Sequence, residues 1–129
     1  MWLRRQSTKY NGVPYVVQRM AEAVFSEEGQ KQISANVGVY MKNARLISDT
    51  LSGLGIWHTG GVNSPYIWFK VPGGDSWAFF DRLLTEANVV GTPGAGFGRN
   101  GEGFLRLTAF NNYENTAEAM KRIKAMLTE

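Results

Sequence analysis

The sequence GTPGAGFGRNGEGFLRLTAF (residues 91–110) joins a glycine-rich run directly to an alternating strand pattern. Six glycines fall within its first thirteen positions. Because side chains of a strand point alternately to its two faces, Leu105, Leu107 and Ala109 are predicted to share one apolar face. Arg106 is predicted to lie on the opposite face. The stretch therefore places a cation on a strand, next to a glycine-rich segment whose backbone can adopt conformations that other residues disfavour.

Arg106 is the residue of this stretch that indicates chemistry. A guanidinium among apolar neighbours needs water or an anion, because a buried and unpaired charge is costly. Its strand could lie at a sheet edge and its head could reach solvent, or it could pair with Asp75 or Glu102. Alternatively, it could hold a ligand carboxylate bidentately at the floor of a glycine-lined cleft. The residues alone leave these alternatives open.

The glycine run does not fit a phosphate-binding loop. Such loops open a helix whose N-terminus faces the anion, whereas Gly94–Gly98 precedes a strand and no Gly-Lys-Ser/Thr sequence follows. The glycines are therefore predicted either to let the backbone approach a ligand or another segment closely, or to form a flexible hairpin loop.

The remaining pattern predicts an α+β fold, in which helices cover a small mixed or antiparallel sheet and a long N-terminal helix precedes it. The predicted order is α-α-β-β-α-β-β-α, in a single domain of 129 residues. Its parts are a leading segment with a short helix (1–25), a long helix (26–55) and the sheet region (56–129). The first ten residues have no clear period and are predicted to be extended.

The long helix has the clearest pattern in the sequence. Ser26, followed by Glu27 and Glu28, predicts its start, and Gly55 predicts its end. Apolar residues recur every three or four positions from Ile33 to Leu54. This stripe could pack on the sheet, meet a coiled-coil partner or bridge two domains.

Four strands and two further helices are predicted after the long helix. Asp75 or Ser76 is predicted to cap the first of these helices, with an inward face of Trp77, Phe80, Leu83, Leu84 and Ala87. The strands are predicted at 56–59, 66–71, 89–90 and 104–110, and the last helix at 113–127.

Composition excludes several classes of function. With 43% apolar and 19% charged residues and no long apolar run, the chain is predicted to be a cytoplasmic globular protein without a membrane span. The net charge of +3 is dispersed, which disfavours nucleic-acid binding. His58 is the only histidine and there is no cysteine, so no metal site or His-centred triad is predicted. No carboxylate pair or activated lysine is apparent, so no catalytic residue is predicted within the chain.

Four stretches resemble the C-terminal third of the LL-diaminopimelate aminotransferase family, a branch of the fold-type I, pyridoxal-phosphate-dependent aminotransferases. They are RQSTKYNG (5–12), QRMAEAV (18–24), NSPYIW (63–68) and TPGAGFG followed by GEGFLR (92–98 and 101–106). The resemblance covers essentially the whole chain, in order and at matching spacing.

The resemblance implies specific roles. Arg106 would bind the α-carboxylate of the amino-acid substrate. Asn11 would reach both substrate and cofactor, from the neighbouring subunit of a homodimer. The reaction would transfer an amino group between LL-diaminopimelate or tetrahydrodipicolinate and glutamate or 2-oxoglutarate, in lysine biosynthesis.

In the family alignment, the Schiff-base lysine and the groups that hold the pyridine nitrogen and the phosphate precede residue 1. The resemblance therefore implies a truncated form that lacks its N-terminal cofactor domain. We expect this form to bind no pyridoxal phosphate and to be inactive alone, with Arg106 partly exposed. Two alternatives remain open, namely a stand-alone α+β module that binds a small carboxylate through Arg106, and an assembly protein whose long helix is a dimerisation strut.

Overall fold

The computed structural model describes residues 1–9 and 12–128. The chain divides into two compact units, residues 1–36 and 37–129. Helices α1 (Trp2–Lys9) and α2 (Tyr15–Ala23) and the start of α3 (Glu27–Gly53) belong to the first unit. The second unit contains the rest of α3 and the following elements: β1 (His58–Gly60), β2 (Tyr66–Lys70), α4 (Ser76–Ala87), β3 (Thr92–Pro93), β4 (Phe104–Thr108) and α5 (Tyr113–Thr128).

The α+β prediction is confirmed, with one additional helix at the N-terminus. Residues 2–9 are helical and not extended, although α1 buries none of its side chains. The hydroxyls of Ser7 and Thr8 donate to the carbonyls of Leu3 and Arg4, one turn earlier, at 2.8 Å each. The extended prediction rested on the lack of a clear apolar period in these residues, and it was wrong because a helix that buries none of its side chains needs no such period.

The predicted start of α3 at Ser26 is confirmed to within one residue, because the helix begins at Glu27. The Ser26 hydroxyl accepts a hydrogen bond from the Gly29 N–H at 3.0 Å, as an N-cap does. At the other end, Gly55 has a φ of 68°, and the Ile56 N–H donates to the Leu51 carbonyl at 2.9 Å. This left-handed ending favours glycine, since a Cβ would be strained there.

The four strands form one antiparallel sheet in the order β1-β2-β4-β3. Because β3 lies beyond β4, the Arg106 strand is internal, and the edge-strand alternative is wrong. The third strand begins at Thr92 and not at Val89. Asn88 ends α4 in the left-handed region, with a φ of 51°, and the Val89 N–H donates to the Leu83 carbonyl.

One face of the sheet is buried against α3, α4 and α5. Its strand residues are Ile67, Phe69, Leu105 and Leu107, so the predicted apolar face of β4 is confirmed. The helices contribute Ala44, Ile47, Leu51, Phe79, Leu83, Ala87, Met120, Ile123 and Met126.

A buried polar side chain connects α3 to the loop after β4. Asn43 of α3 is completely buried, and its Nδ2 donates to the carbonyls of Ala109 (3.1 Å) and Asn111 (2.6 Å), which ties the loop after β4 to the helix.

The inward face of α4 differs from the predicted one. The predicted inward residue Trp77 is 56% exposed, whereas Ser76 and Phe79 are buried. The helix is rotated because Asp75 is the N-cap and Ser76 bonds inward, as described below.

None of the helices in residues 1–9 and 12–128 is long and apolar enough to cross a bilayer. Over the same residues, no group of three His, Cys, Asp or Glu side chains could hold a metal ion.

Candidate functional site

Arg106 lies on the face of the sheet opposite the one that α3, α4 and α5 cover. In the register of the sheet it is paired with Trp68 of β2 on one side and with Thr92 of β3 on the other. Cross-strand partners share a face, so these three side chains form one row across the sheet. The alternation that buries Leu105 and Leu107 thus directs Arg106 to the opposite side.

Two aromatic rings contact the Arg106 guanidinium. Its Cζ lies 4.7 Å from the centroid of the Tyr66 ring and 4.8 Å from that of the Phe97 ring. Both distances are within the range of a cation–π contact. Tyr66 comes from β2, whereas Phe97 comes from the 3₁₀ turn Gly94–Phe97 in the glycine-rich stretch.

Further rings extend this face. Trp68 stacks on Phe104, with centroids 5.4 Å apart, and meets the Phe97 ring edge-on at 5.6 Å. Tyr66 meets Phe110 edge-on at 5.5 Å. Lys70 of β2, which is paired with Phe104, is a second and exposed cation on this largely aromatic face, whereas the Arg106 guanidinium is in contact with the rings.

Within the part of the chain that the structure describes, Arg106 has no ion-pair partner. The two carboxylates considered from the sequence are both used at the start of α4. Asp75 Oδ1 accepts from the N–H groups of Trp77 and Ala78, and Glu102 Oε1 accepts from those of Ser76 and Gly103. Pairing of Arg106 with Asp75 or Glu102 is thus excluded.

The Arg106 side chain is half-buried, which confirms the predicted partial exposure. Its Nε atom is fully buried and finds no hydrogen-bond acceptor among residues 1–9 and 12–128. A buried N–H without an acceptor is rare in folded proteins. The two terminal nitrogens are not among the buried, unsatisfied atoms, and a planar carboxylate could accept from both of them in the bidentate geometry that arginine favours.

The glycines of the stretch pack the backbone against itself. A Cβ at Gly94 would collide with the carbonyl oxygen of Gly101, and a Cβ at Gly101 would collide with that of Gly94. The close approach predicted from the sequence is therefore made to another segment of the chain. This close packing does not extend to Gly96 and Gly98, where an added Cβ would meet no atom within 4 Å.

Of the other residues considered from the sequence, Asn11 lies outside the described residues. His58 is half-buried, and its Nδ1 lies 3.0 Å from the carbonyl oxygen of Ile56, two residues earlier and just before β1. Sequence reasoning missed Tyr66, Trp68 and Phe97 as neighbours of Arg106. Alternation placed the first two on one face of β2, but only the strand register shows which residue they face.

A second cleft, of about 370 Å³, lies beside α5 and does not include Arg106. Its polar lining is mainly amide and hydroxyl groups, among them Asn88, Asn111, Asn115 and Thr116. Arg122 also lines it, but this side chain is bonded to Glu118 at 2.9 Å. The cleft therefore lacks an unpaired cation comparable to Arg106.

Comparison with known proteins connects this geometry to one family. The family model for aminotransferase class I and II matches residues 1–123. The LL-diaminopimelate aminotransferases of Methanosphaera stadtmanae and Lachnospira eligens are 61% and 58% identical to the chain over 127 residues, which are 98% of this chain and 31% of each relative. The chain thus spans about a third of the length of the curated relatives it matches.

Solved structures of aminotransferases also superpose on this chain. The L,L-diaminopimelate aminotransferase of Chlamydomonas reinhardtii superposes with a TM-score of 0.90 at 40% identity, over 96% of this chain and 30% of that one. The aromatic aminotransferase of Pyrococcus horikoshii superposes with a TM-score of 0.77 at 29% identity, over 84% of this chain and 30% of the other.

Proposed function

The chain belongs to the class I and II aminotransferases, and from this premise we propose that it forms the C-terminal, substrate-carboxylate-binding part of an LL-diaminopimelate aminotransferase. The proposed reaction transfers an amino group between LL-diaminopimelate or tetrahydrodipicolinate and glutamate or 2-oxoglutarate, in lysine biosynthesis. The identity to the Methanosphaera stadtmanae and Lachnospira eligens enzymes supports this substrate. The observation that carries the proposal is the half-exposed Arg106 guanidinium, which contacts two aromatic rings and has no ion-pair partner among the described residues.

Arg106 would bind the substrate α-carboxylate through two parallel hydrogen bonds. Tyr66 and Phe97 contact the guanidinium and limit the access of water to it. In a water-poor site each charge-assisted bond is stronger than at an open surface. Holding the carboxylate at two points would fix the orientation of the substrate, and hence the position of its amino group.

Pyridoxal phosphate is the cofactor of this family, and when bound it supplies the electron sink for amino transfer. The stretch that contains Arg106 does not fit this group, because residues 91–110 contain no lysine and the backbone of Gly94 closes on that of Gly101. We therefore assign the Schiff-base lysine and the groups that hold the pyridine nitrogen and the phosphate to other parts of the full-length protein. Asn11 is proposed to reach substrate and cofactor from the neighbouring subunit of a homodimer.

A chimeric enzyme tests the proposal directly. This chain would replace the 127 matching residues of the Methanosphaera stadtmanae enzyme, and glutamate formation from LL-diaminopimelate and 2-oxoglutarate would be measured. We expect transamination by the chimera and none by the isolated chain. A chimera that folds and binds pyridoxal phosphate, but does not act on LL-diaminopimelate, would contradict the proposed substrate.

Calorimetry on the isolated chain supplies a second test. The proposed function predicts weak binding of glutamate and diaminopimelate, because the chain offers one carboxylate site and no second wall. Tight binding of either compound would instead favour a stand-alone carboxylate-binding module.

A further inference from the structure

The glycine-rich stretch is attached to the start of α4 through a buried hydroxyl. Ser76 is completely buried, and its Oγ accepts from the N–H groups of Gly103 (3.0 Å) and Phe104 (3.3 Å). The same hydroxyl donates to the Gly101 carbonyl at 3.3 Å. One side chain therefore satisfies three backbone groups at the point where the stretch enters β4.

Glu102 makes the reciprocal connection. Its Oε1 accepts from the Ser76 N–H at 2.7 Å and from the Gly103 N–H at 3.2 Å. The Ser76 N–H belongs to the first turn of α4, where a carboxylate is favoured by the helix dipole. We call these paired contacts of Ser76 and Glu102 the clamp.

The clamp matters because burial does not hold Phe97 in place. Phe97 is 54% exposed, and it is followed by Gly98, whose φ of 110° only glycine adopts readily. A glycine-rich backbone has many accessible conformations, so its order depends on how its two ends are fixed. One end is paired with β4 through Thr92 and Pro93, and the other is held by the clamp.

We propose that Ser76 and Glu102 are positioning residues of the carboxylate site, which hold the glycine-rich stretch in the conformation that keeps Phe97 against Arg106. Neither side chain contacts the guanidinium, so both act through the backbone of residues 94–104. The assignment to substrate binding rests on the proposed function, whereas the effect on Phe97 does not.

Nuclear magnetic resonance on the isolated chain tests the effect on Phe97. In the unchanged protein, cross-relaxation between the Phe97 ring and the Arg106 side chain reports their contact. We expect Glu102→Ala to weaken this signal strongly and Glu102→Gln to retain it, because glutamine keeps an oxygen that accepts both N–H groups. Glu86→Ala, which removes an exposed carboxylate from α4, is the matched control and should have no effect.

Ser76→Ala is the harsher variant, since it removes the bonds of a buried hydroxyl to the Gly101 carbonyl and the Phe104 N–H and leaves the Gly103 N–H with Glu102 alone. Its unfolding midpoint would be measured first, and the Phe97 signal would be compared at a temperature at which it is folded. If Glu102→Ala is folded and the Phe97–Arg106 signal is unchanged, the proposal is wrong, whatever the behaviour of Ser76→Ala.

Kinetics of the chimera test the link to substrate. A displaced Phe97 removes one of the two rings at the guanidinium, so we expect Glu102→Ala to raise the KM for LL-diaminopimelate and for 2-oxoglutarate by about tenfold each, with a much smaller change in kcat. Glu102→Gln should restore the KM. A lower kcat at unchanged KM would indicate only loss of folded enzyme and would overturn the positioning role. If the chimera has no transaminase activity even without a substitution at Glu102, the proposed function is refuted. The resonance experiment would still decide whether the clamp holds Phe97.

Discussion

Replacing Arg106 with lysine is the most informative single change in this protein. Arg106→Lys keeps the positive charge but removes the planar fork and the donor at the Nε position. That position is fully buried and has no acceptor among the described residues. If the proposed function is correct, the planar pair of terminal nitrogens is used only when a substrate carboxylate is bound, so its loss should affect the binding of substrate and transition state more than folding.

The magnitude follows from the contacts that lysine cannot make. One charge-assisted hydrogen bond is worth about 1.5–3 kcal/mol, and each ring contact about 0.5–2 kcal/mol, of which a lysine ammonium keeps part. The sum is a loss of about 2–4 kcal/mol, which corresponds to about a 30- to 1000-fold decrease in kcat/KM at roughly 1.4 kcal/mol per factor of ten. The unfolding midpoint should change little, because no ion pair is broken in the described part of the chain.

The assay is the transamination of LL-diaminopimelate by the chimera, with KM and kcat determined separately. Arg45→Lys is the matched control, because Arg45 is an exposed residue of α3, and we expect its kcat/KM to be unchanged. An Arg106→Lys enzyme whose kinetics equal those of the control would refute the assignment of Arg106 to the carboxylate. Equal loss of activity in both variants would indicate a general effect of the substitutions.

Three further changes test the fold and its electrostatics. Asn43→Ala should lower the free energy of unfolding by about 2–4 kcal/mol in denaturant titrations, because it leaves a cavity and two carbonyls without their shared donor. Gly94→Ala should lower the thermal midpoint far more than Gly96→Ala, since only the first added methyl would collide with backbone; equal midpoints would contradict this packing. The hydrogen bond from Arg82 lowers the pKa of the Glu86 carboxyl. Ionised Glu86 therefore contributes stability above the ordinary carboxyl range that is lost as the pH falls through the lowered pKa; in a carbon-detected titration, Arg82→Met should raise that pKa.

The local features that sequence predicted well depend on neighbouring residues. Alternation in residues 104–110 correctly separated Leu105 and Leu107 from Arg106, because the two faces of a strand follow directly from its geometry. Ser26 and Asp75 were identified as possible caps because a short polar side chain just before a helix can satisfy its free N–H groups.

Prediction from sequence was less successful where the burial of a residue depended on contacts with distant parts of the chain. Trp77 was predicted to be inward because it fits an apolar stripe, but the bonds of Ser76 to residues 101–104 turn that side of α4 toward the core. The N-terminal helix was missed for the related reason that it has no buried face to signal it.

The sequence by itself determined that Arg106 lies on the face of a strand opposite Leu105 and Leu107, next to a glycine-rich stretch, and it carried the resemblance to an aminotransferase family. Only the tertiary structure decided that this strand is internal, that Tyr66 and Phe97 contact the guanidinium, and that Asp75 and Glu102 are committed to the start of α4. The physical reason is that periodicity is a local property of the backbone. Register and charge pairing instead depend on which distant segments meet, and the free energy of that choice is spread over the whole core.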